Sequence, residues 1–190
     1  MRGTVGSGSR LAQGARLSRE DLLRLALMSS ENRAAHALCR AYPEGLAACL
    51  RAMNAKAAEL GMKTARFVEP TGLSKLNVAS PRDLAKLVLA SGAEPLIREY
   101  STAPSHTVHL GPHAVQFRST NVLVEREGWQ VEVQKTGYIS EAGRCLVMQT
   151  VIEGRHVVIV LLNSVGRLTR IADVKRIRTW LETLHRTGTA

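Results

Sequence analysis

Val133-Gln134-Lys135-Thr136-Gly137-Tyr138 sets a strand-like run directly before a lysine, a hydroxyl and a glycine. A cation and a hydroxyl at a strand edge, with glycine removing the side chain that would block close approach, make a place to hold a carboxylate. The sequence around this stretch has the periodicity of strands. Trp129 to Gln134 alternates, and Arg144 to Ile152 and Arg155 to Leu162 form two further runs about Glu153-Gly154, a pair suited to a two-residue hairpin turn. Ile171, Val174, Ile177, Leu181 and Leu184 then recur as one stripe of a C-terminal helix, with Arg170, Lys175, Arg176 and Arg178 mostly off it. An antiparallel sheet with a packed C-terminal helix is expected over residues 129–190.

Upstream the period is helical. Residues 1–17 read as an irregular lead-in. Ser18-Arg19-Glu20-Asp21 is a capping box ahead of the apolar face Leu22, Leu25, Ala26. That helix runs into Met28-Ser29-Ser30-Glu31-Asn32, where polar residues break the pattern, and a second helical stretch resumes through Ala34, Ala35, Leu38 and Cys39. A polar knot between two apolar helices is how a rigid scaffold offers a site. Pro43-Glu44 can open a third helix, carried by Leu46, Leu50, Met53, Ala57 and Leu60 to Gly61, and Ser80-Pro81-Arg82-Asp83 caps a fourth that ends at Gly92. Arg66 to Leu73 reads as extended and turn-like. His106 to Leu110 and Ala114 to Arg118 suggest a hairpin about Gly111-Pro112. A mainly helical subdomain over residues 18–128 is therefore expected, and the fold class is α+β.

The composition excludes several classes of protein. With 190 residues, 45% hydrophobic and 22% charged, the chain can bury a core and is not disordered. No apolar run approaches the roughly 20 residues of a membrane span; the longest, Val157 to Leu162, has strand length. Met1 to Gly14 lacks the apolar centre of a signal peptide. A net charge of +10 favours anionic partners in general. No nucleic-acid recognition motif accompanies it, and a basic solvated surface is the plainer reading. His106, His109 and His113 fall at separations that put strand side chains on opposite faces, so no metal and no cofactor are expected. Cys39, Cys49 and Cys145 are an odd number without zinc-ligand spacing; free, buried thiols are the default expectation, with a Cys39–Cys49 bridge left to geometry.

Two polar sites remain, Ser30-Glu31-Asn32 between helices and Lys135-Thr136-Gly137 at a strand. S-x-x-K, S-D-N and K-T-G together mark penicillin-binding proteins and class A β-lactamases. The second motif is present here as Ser30-x-Asn32 and the third is intact. Leu25 to Ala35, Phe67 to Leu73 and Lys135 to Gly143 closely resemble the D-alanyl-D-alanine carboxypeptidase family of low-molecular-mass penicillin-binding proteins, and within it the endopeptidase branch. The resemblance runs from about Ser9 to Leu184.

It implies a β-lactamase/transpeptidase-like fold and serine acyl transfer on peptidoglycan stem peptides, with β-lactams as the other ligands, in the periplasm, whereas the sequence as written, without a signal peptide, reads as cytoplasmic. A serine attacks the peptide carbonyl, a lysine of the same motif takes its proton, and water releases the acyl group. By resemblance, Ser30 relays a proton near nucleophile and leaving group and Asn32 hydrogen-bonds the substrate backbone. Lys135 and Thr136 bind the terminal carboxylate, and Gly137 lets the strand lie close to it.

One departure limits this expectation: no serine in the sequence has a lysine three residues later. In the family that motif lies further upstream of the second than Ser30 lies from Met1. The expectation is a fold incomplete at its N-terminus, without the nucleophile helix and early strands. Such a chain should be inactive, since losing a catalytic serine costs on the order of 10⁶ in turnover. It should also be prone to self-association through an exposed sheet edge, or dependent on a complementing segment.

Overall fold

Ser18 begins the regular structure as its capping box implies. Its Oγ accepts from the Asp21 N–H at 2.9 Å, and its hydroxyl donates to the Asp21 carboxylate at 2.7 Å, opening helix α1 (Arg19–Met28). The computed structural model describes residues 8–166 and 168–187; residues 1–7 of the lead-in lie outside the described residues, and 8–17 carry neither helix nor strand. Helix α1 ends where the polar knot begins. Helix α2 (Asn32–Arg40) starts on Glu31, whose carboxylate accepts from the Arg33 N–H at 3.2 Å.

Helix α3 (Gly45–Glu59) starts later than Pro43-Glu44 suggests. Glu44 and Gly45 take φ of 62° and 81°, so this left-handed pair turns the chain at the point where the helix begins. Gly45 N–H donates to Tyr42 O at 2.7 Å to close the turn. The turn folds α3 back on α2 and brings Cys39 and Cys49 to a Cα separation of 5.4 Å, where they form a disulfide. The default expectation of free thiols is thus wrong for these two, and Cys145 alone is free.

Helix α4 (Pro81–Gly92) is capped by Ser80, which accepts from Asp83 N–H at 3.2 Å. The Asp83 carboxylate turns instead to Thr64, accepting from its N–H at 2.7 Å and its hydroxyl at 2.6 Å. Helix α5 (Pro95–Thr102), which the sequence reading did not anticipate, has no side-chain cap and buries Tyr100 and Ser101. The predicted hairpin forms as β1 (Ser105–Leu110) and β2 (His113–Arg118). His106 sits 2.7 Å from the Asp21 carboxylate, so this histidine ties β1 to α1.

The main sheet has the order β3-β4-β5, all antiparallel: β3 (Gln130–Ile139), β4 (Gly143–Ile152) and β5 (Arg155–Ser164). Glu153 and Gly154, at φ of 50° and 72°, make the two-residue turn between β4 and β5. Strand β3 runs through Lys135-Thr136-Gly137, which pair with Val147, Leu146 and Cys145 of β4. Helix α6 (Thr169–Arg186) lies on one face, where Ile171 and Val174 meet Leu146, Met148 and Ile159. Leu146 and Met148 are wholly buried, each stabilising by about 1.5–3 kcal/mol. The α4 and α5 helices pack against the same sheet, α5 chiefly on β3. A second core joins Leu25 and Met28 of α1 to Val108 and Phe117 of the hairpin. Because α1 touches both β1 and β3, its C-terminal end is delivered to the K-T-G strand.

Candidate active site

The last turn of α1 is wound tight by one carbonyl. Leu25 O accepts from Ser29 N–H at 3.1 Å, Ser29 Oγ at 2.9 Å and Glu31 N–H at 3.1 Å. This leaves Ser30 between them in the left-handed region, at φ 55°, a conformation that costs a non-glycine residue about 1 kcal/mol or more. The distortion turns the Ser30 side chain toward β3. Its Oγ lies 3.1 Å from Thr136 O and 3.2 Å from Thr136 Oγ1, and Lys135 Nζ donates to it.

Lys135 also donates to Thr136 O at 2.7 Å. These are neutral acceptors, and no carboxylate pairs with the ammonium among the described residues. Burial therefore pushes it from the ordinary lysine range down to about 8. A cation held in this way gains by meeting an anion.

Gly137 is exposed, and its backbone is not left-handed. A Cβ added there would meet only Cys145 Cβ, at 3.9 Å, an ordinary contact. Nothing inside the fold requires glycine at this place. The room it leaves is on the outside of the strand, where a ligand would lie along the edge.

The structure thus brings Ser30, Lys135 and Thr136 together from positions about a hundred residues apart, with Gly137 next along the strand. Asn32, the first residue of α2, lines a cavity of about 620 Å³ between α2, α3 and the 68–74 loop. The walls are largely apolar, including Leu11, Leu17, Leu22, Leu46 and Leu50. That loop is held by Glu69, whose carboxylate accepts from Thr71 N–H and Gly72 N–H at 2.7 Å each and from Asn77 Nδ2 at 2.7 Å.

Two residues went unmarked in the sequence reading: Thr120 at this site, and Arg170, whose electrostatic neighbours are Arg144 and Cys145 of β4. Thr120 Oγ1 lies 2.5 Å from Thr136 Oγ1, and its N–H donates to Met28 O at 3.2 Å. Its polar neighbours Ser119 and Asn121, interrupting an apolar stretch as Ser29 to Asn32 do, were the available signal. Arg170, in the first turn of α6, has a buried Nε without a hydrogen-bond partner among the described residues. Burial, and then Arg144, push its guanidinium below the usual value. No pattern in the sequence separates it from the other arginines of α6.

This fold is that of the penicillin-binding proteins. It superposes on the R248L mutant of Streptomyces K15 DD-transpeptidase with a TM-score of 0.84 at 23% identity, over 93% of this chain and 73% of that one. The family model for D-alanyl-D-alanine carboxypeptidase matches residues 2–166, and the chain belongs to that family. D-alanyl-D-alanine endopeptidases of Escherichia coli and Pseudomonas aeruginosa are each 49% identical to it over 177 residues, 92% of this chain. The chain spans 57% of the length of those relatives.

Proposed function

We propose that this chain recognises peptidoglycan stem peptides ending in D-alanyl-D-alanine, and the β-lactams that mimic them, as the substrate-binding part of a serine-type D-Ala-D-Ala carboxypeptidase or endopeptidase. The observation that carries this reading is the desolvated Lys135 ammonium, bonded only to neutral oxygens beside Thr136 and the open edge at Gly137. A terminal carboxylate fits the cation and the Thr136 hydroxyl, while the peptide lies along β3 toward Asn32. Cleavage in this mechanism needs a nucleophile serine with a lysine three residues on, and the sequence holds no such pair. Binding without cutting is the behaviour expected of these 190 residues, with a complementing segment required for turnover.

The test is titration of an acyl-D-alanyl-D-alanine peptide into the protein and its Lys135→Ala variant. A charge-assisted hydrogen bond is worth about 1.5–3 kcal/mol, so the variant should bind roughly 10- to 100-fold more weakly. Equal affinity of the two proteins sinks the assignment.

The Lys135–Ser30 hydrogen bond favours a second reading, in which Ser30 is itself acylated. Neutral Lys135 would take the Ser30 hydroxyl proton as Oγ attacks the carbonyl, the amine would leave with that proton, and water would free the ester. A fluorescent β-lactam decides between the two: a mass-mapped adduct on Ser30 supports this reading, and an unlabelled protein excludes it.

A periplasmic location belongs to the same proposal. The Cys39–Cys49 disulfide supports it, since such bridges persist in oxidising compartments. So does self-association: among the described residues β5 pairs only with β4, leaving its outer edge open. Sedimentation of a monomer at all concentrations would remove that last part.

A further inference from the structure

Thr120 is the exposed last link of a chain of hydroxyls, and counting the hydrogens in that chain gives it a role. Thr136 O already receives two donors, Lys135 Nζ at 2.7 Å and Ser30 Oγ at 3.1 Å. Ser30 Oγ has one hydrogen, and we place it on the nearer acceptor, that carbonyl, rather than on Thr136 Oγ1, with Ser30 Oγ accepting from Lys135. The Thr136 hydroxyl is left with two oxygen neighbours, Ser30 Oγ at 3.2 Å and Thr120 Oγ1 at 2.5 Å.

The short contact can run either way, since the Thr120 hydroxyl has a second, longer acceptor in Met28 O at 3.4 Å. With Thr136 donating to Thr120, no hydrogen is left on Thr136 for a ligand. With Thr120 donating to Thr136, the Thr136 hydrogen is free to point at an incoming anion. A carboxylate beside Lys135 accepts only, so its arrival selects the second arrangement.

We propose that Thr120 is a positioning residue for carboxylate recognition: it donates into Thr136 Oγ1, fixes that side chain and frees its hydrogen for the terminal carboxylate. This rests on the assignment of Lys135 and Thr136 as the carboxylate site. The backbone of Thr120 is anchored independently, through its N–H to Met28 O at 3.2 Å, two residues before Ser30. A side-chain change therefore removes the hydroxyl without releasing the segment. Because Thr120 is exposed, the change leaves both cores filled.

The experiment compares the protein with Thr120→Val and Thr120→Ser. Each is titrated with an acyl-D-alanyl-D-alanine peptide and with the same peptide as its C-terminal amide. Thr120→Val should weaken the acid by about fivefold to tenfold, the worth of one hydrogen bond, and Thr120→Ser should restore it. The amide should bind the protein and Thr120→Val alike. Equal weakening of acid and amide would mean a general structural role and would overturn the proposal.

The Thr136 side-chain torsion, read from three-bond NMR couplings without ligand, supplies a measurement that does not depend on binding. One rotamer in the protein and in Thr120→Ser, averaged in Thr120→Val, supports the role. An unchanged rotamer in Thr120→Val refutes it, whatever the peptides do. Absence of peptide binding by the unsubstituted protein would refute the carboxylate assignment instead, leaving the rotamer result to judge whether Thr120 fixes Thr136.

Discussion

Cutting the Cys39–Cys49 bridge should lower stability by an amount that the chain separation sets. The two cysteines are 10 residues apart, so the bridge removes the closure entropy of a short loop from the unfolded chain. With the loop at about ten residues the entropy is roughly 9 cal/mol/K, or about 2.7 kcal/mol at 25 °C. The native side adds little to offset this, because the turn at Glu44 and Gly45 is left-handed and α3 has no side-chain cap. The assay is urea unfolding of the oxidised protein, of the Cys39→Ala/Cys49→Ala double variant, and of the protein in excess reductant. For a slope of about 2 kcal/mol/M, both bridge-free forms should unfold about 1.3 M earlier than the oxidised form. Coincident midpoints for all three would refute the reasoning, since they would show that α2 and α3 hold their corner without help.

Other consequences can be measured directly. Affinity for a terminal carboxylate should fall about tenfold between pH 7 and pH 9, because Lys135 loses its proton near pH 8; an isotherm flat up to pH 10 would contradict this. Between about pH 8 and the unfolded value of 10.5 stability should rise with pH, because there the folded chain binds fewer protons than the unfolded one. The hydrogen bonds from Thr64 hold Asp83 down to about 2, so its stabilising contribution is complete above the unfolded value of 3.8 and is lost as pH falls toward 2. Asp83→Asn should flatten that part of the acid-unfolding curve, and an unaltered curve would count against the role. Gly143→Ala should destabilise by more than 1 kcal/mol: at φ 64° the added Cβ would lie 2.7 Å from Asn163 Oδ1 and 2.9 Å from Asn163 Cα. Thermal melts of the two proteins check this, and equal midpoints would refute it.

Much of this fold could be read from short stretches because short stretches determine it. The caps at Ser18 and Ser80, the Glu153-Gly154 turn and the stripe of α6 depend on neighbours within a few residues. The reading failed where distant partners decide. The alternating run was read from Trp129 to Gln134, yet pairing with β4 carries the strand through Gly137 to Ile139. Helix α5 lacks a side-chain cap and is held by packing on β3, which local sequence does not reveal. The disulfide depended on a Cα separation that spacing alone does not give.

The candidate site divides in the same way. Ser30-x-Asn32 and Lys135-Thr136-Gly137 were legible as motifs, while their meeting was implied only by family resemblance. The left-handed turn that aims Ser30 at β3, and the involvement of Thr120, belong to three dimensions.

The position of the disulfide has a mechanical meaning. Helix α2 is a short rod, fixed at one end by Cys39 and ending at the other in Asn32. Seven residues at 1.5 Å each make a lever arm of about 10 Å. A tilt of about 10° at the cysteine end would sweep Asn32 through about 2 Å, more than the tolerance of a hydrogen bond. The bridge lies at the other end of the helix, yet it sets how steadily Asn32 is held in the wall of the cavity it lines.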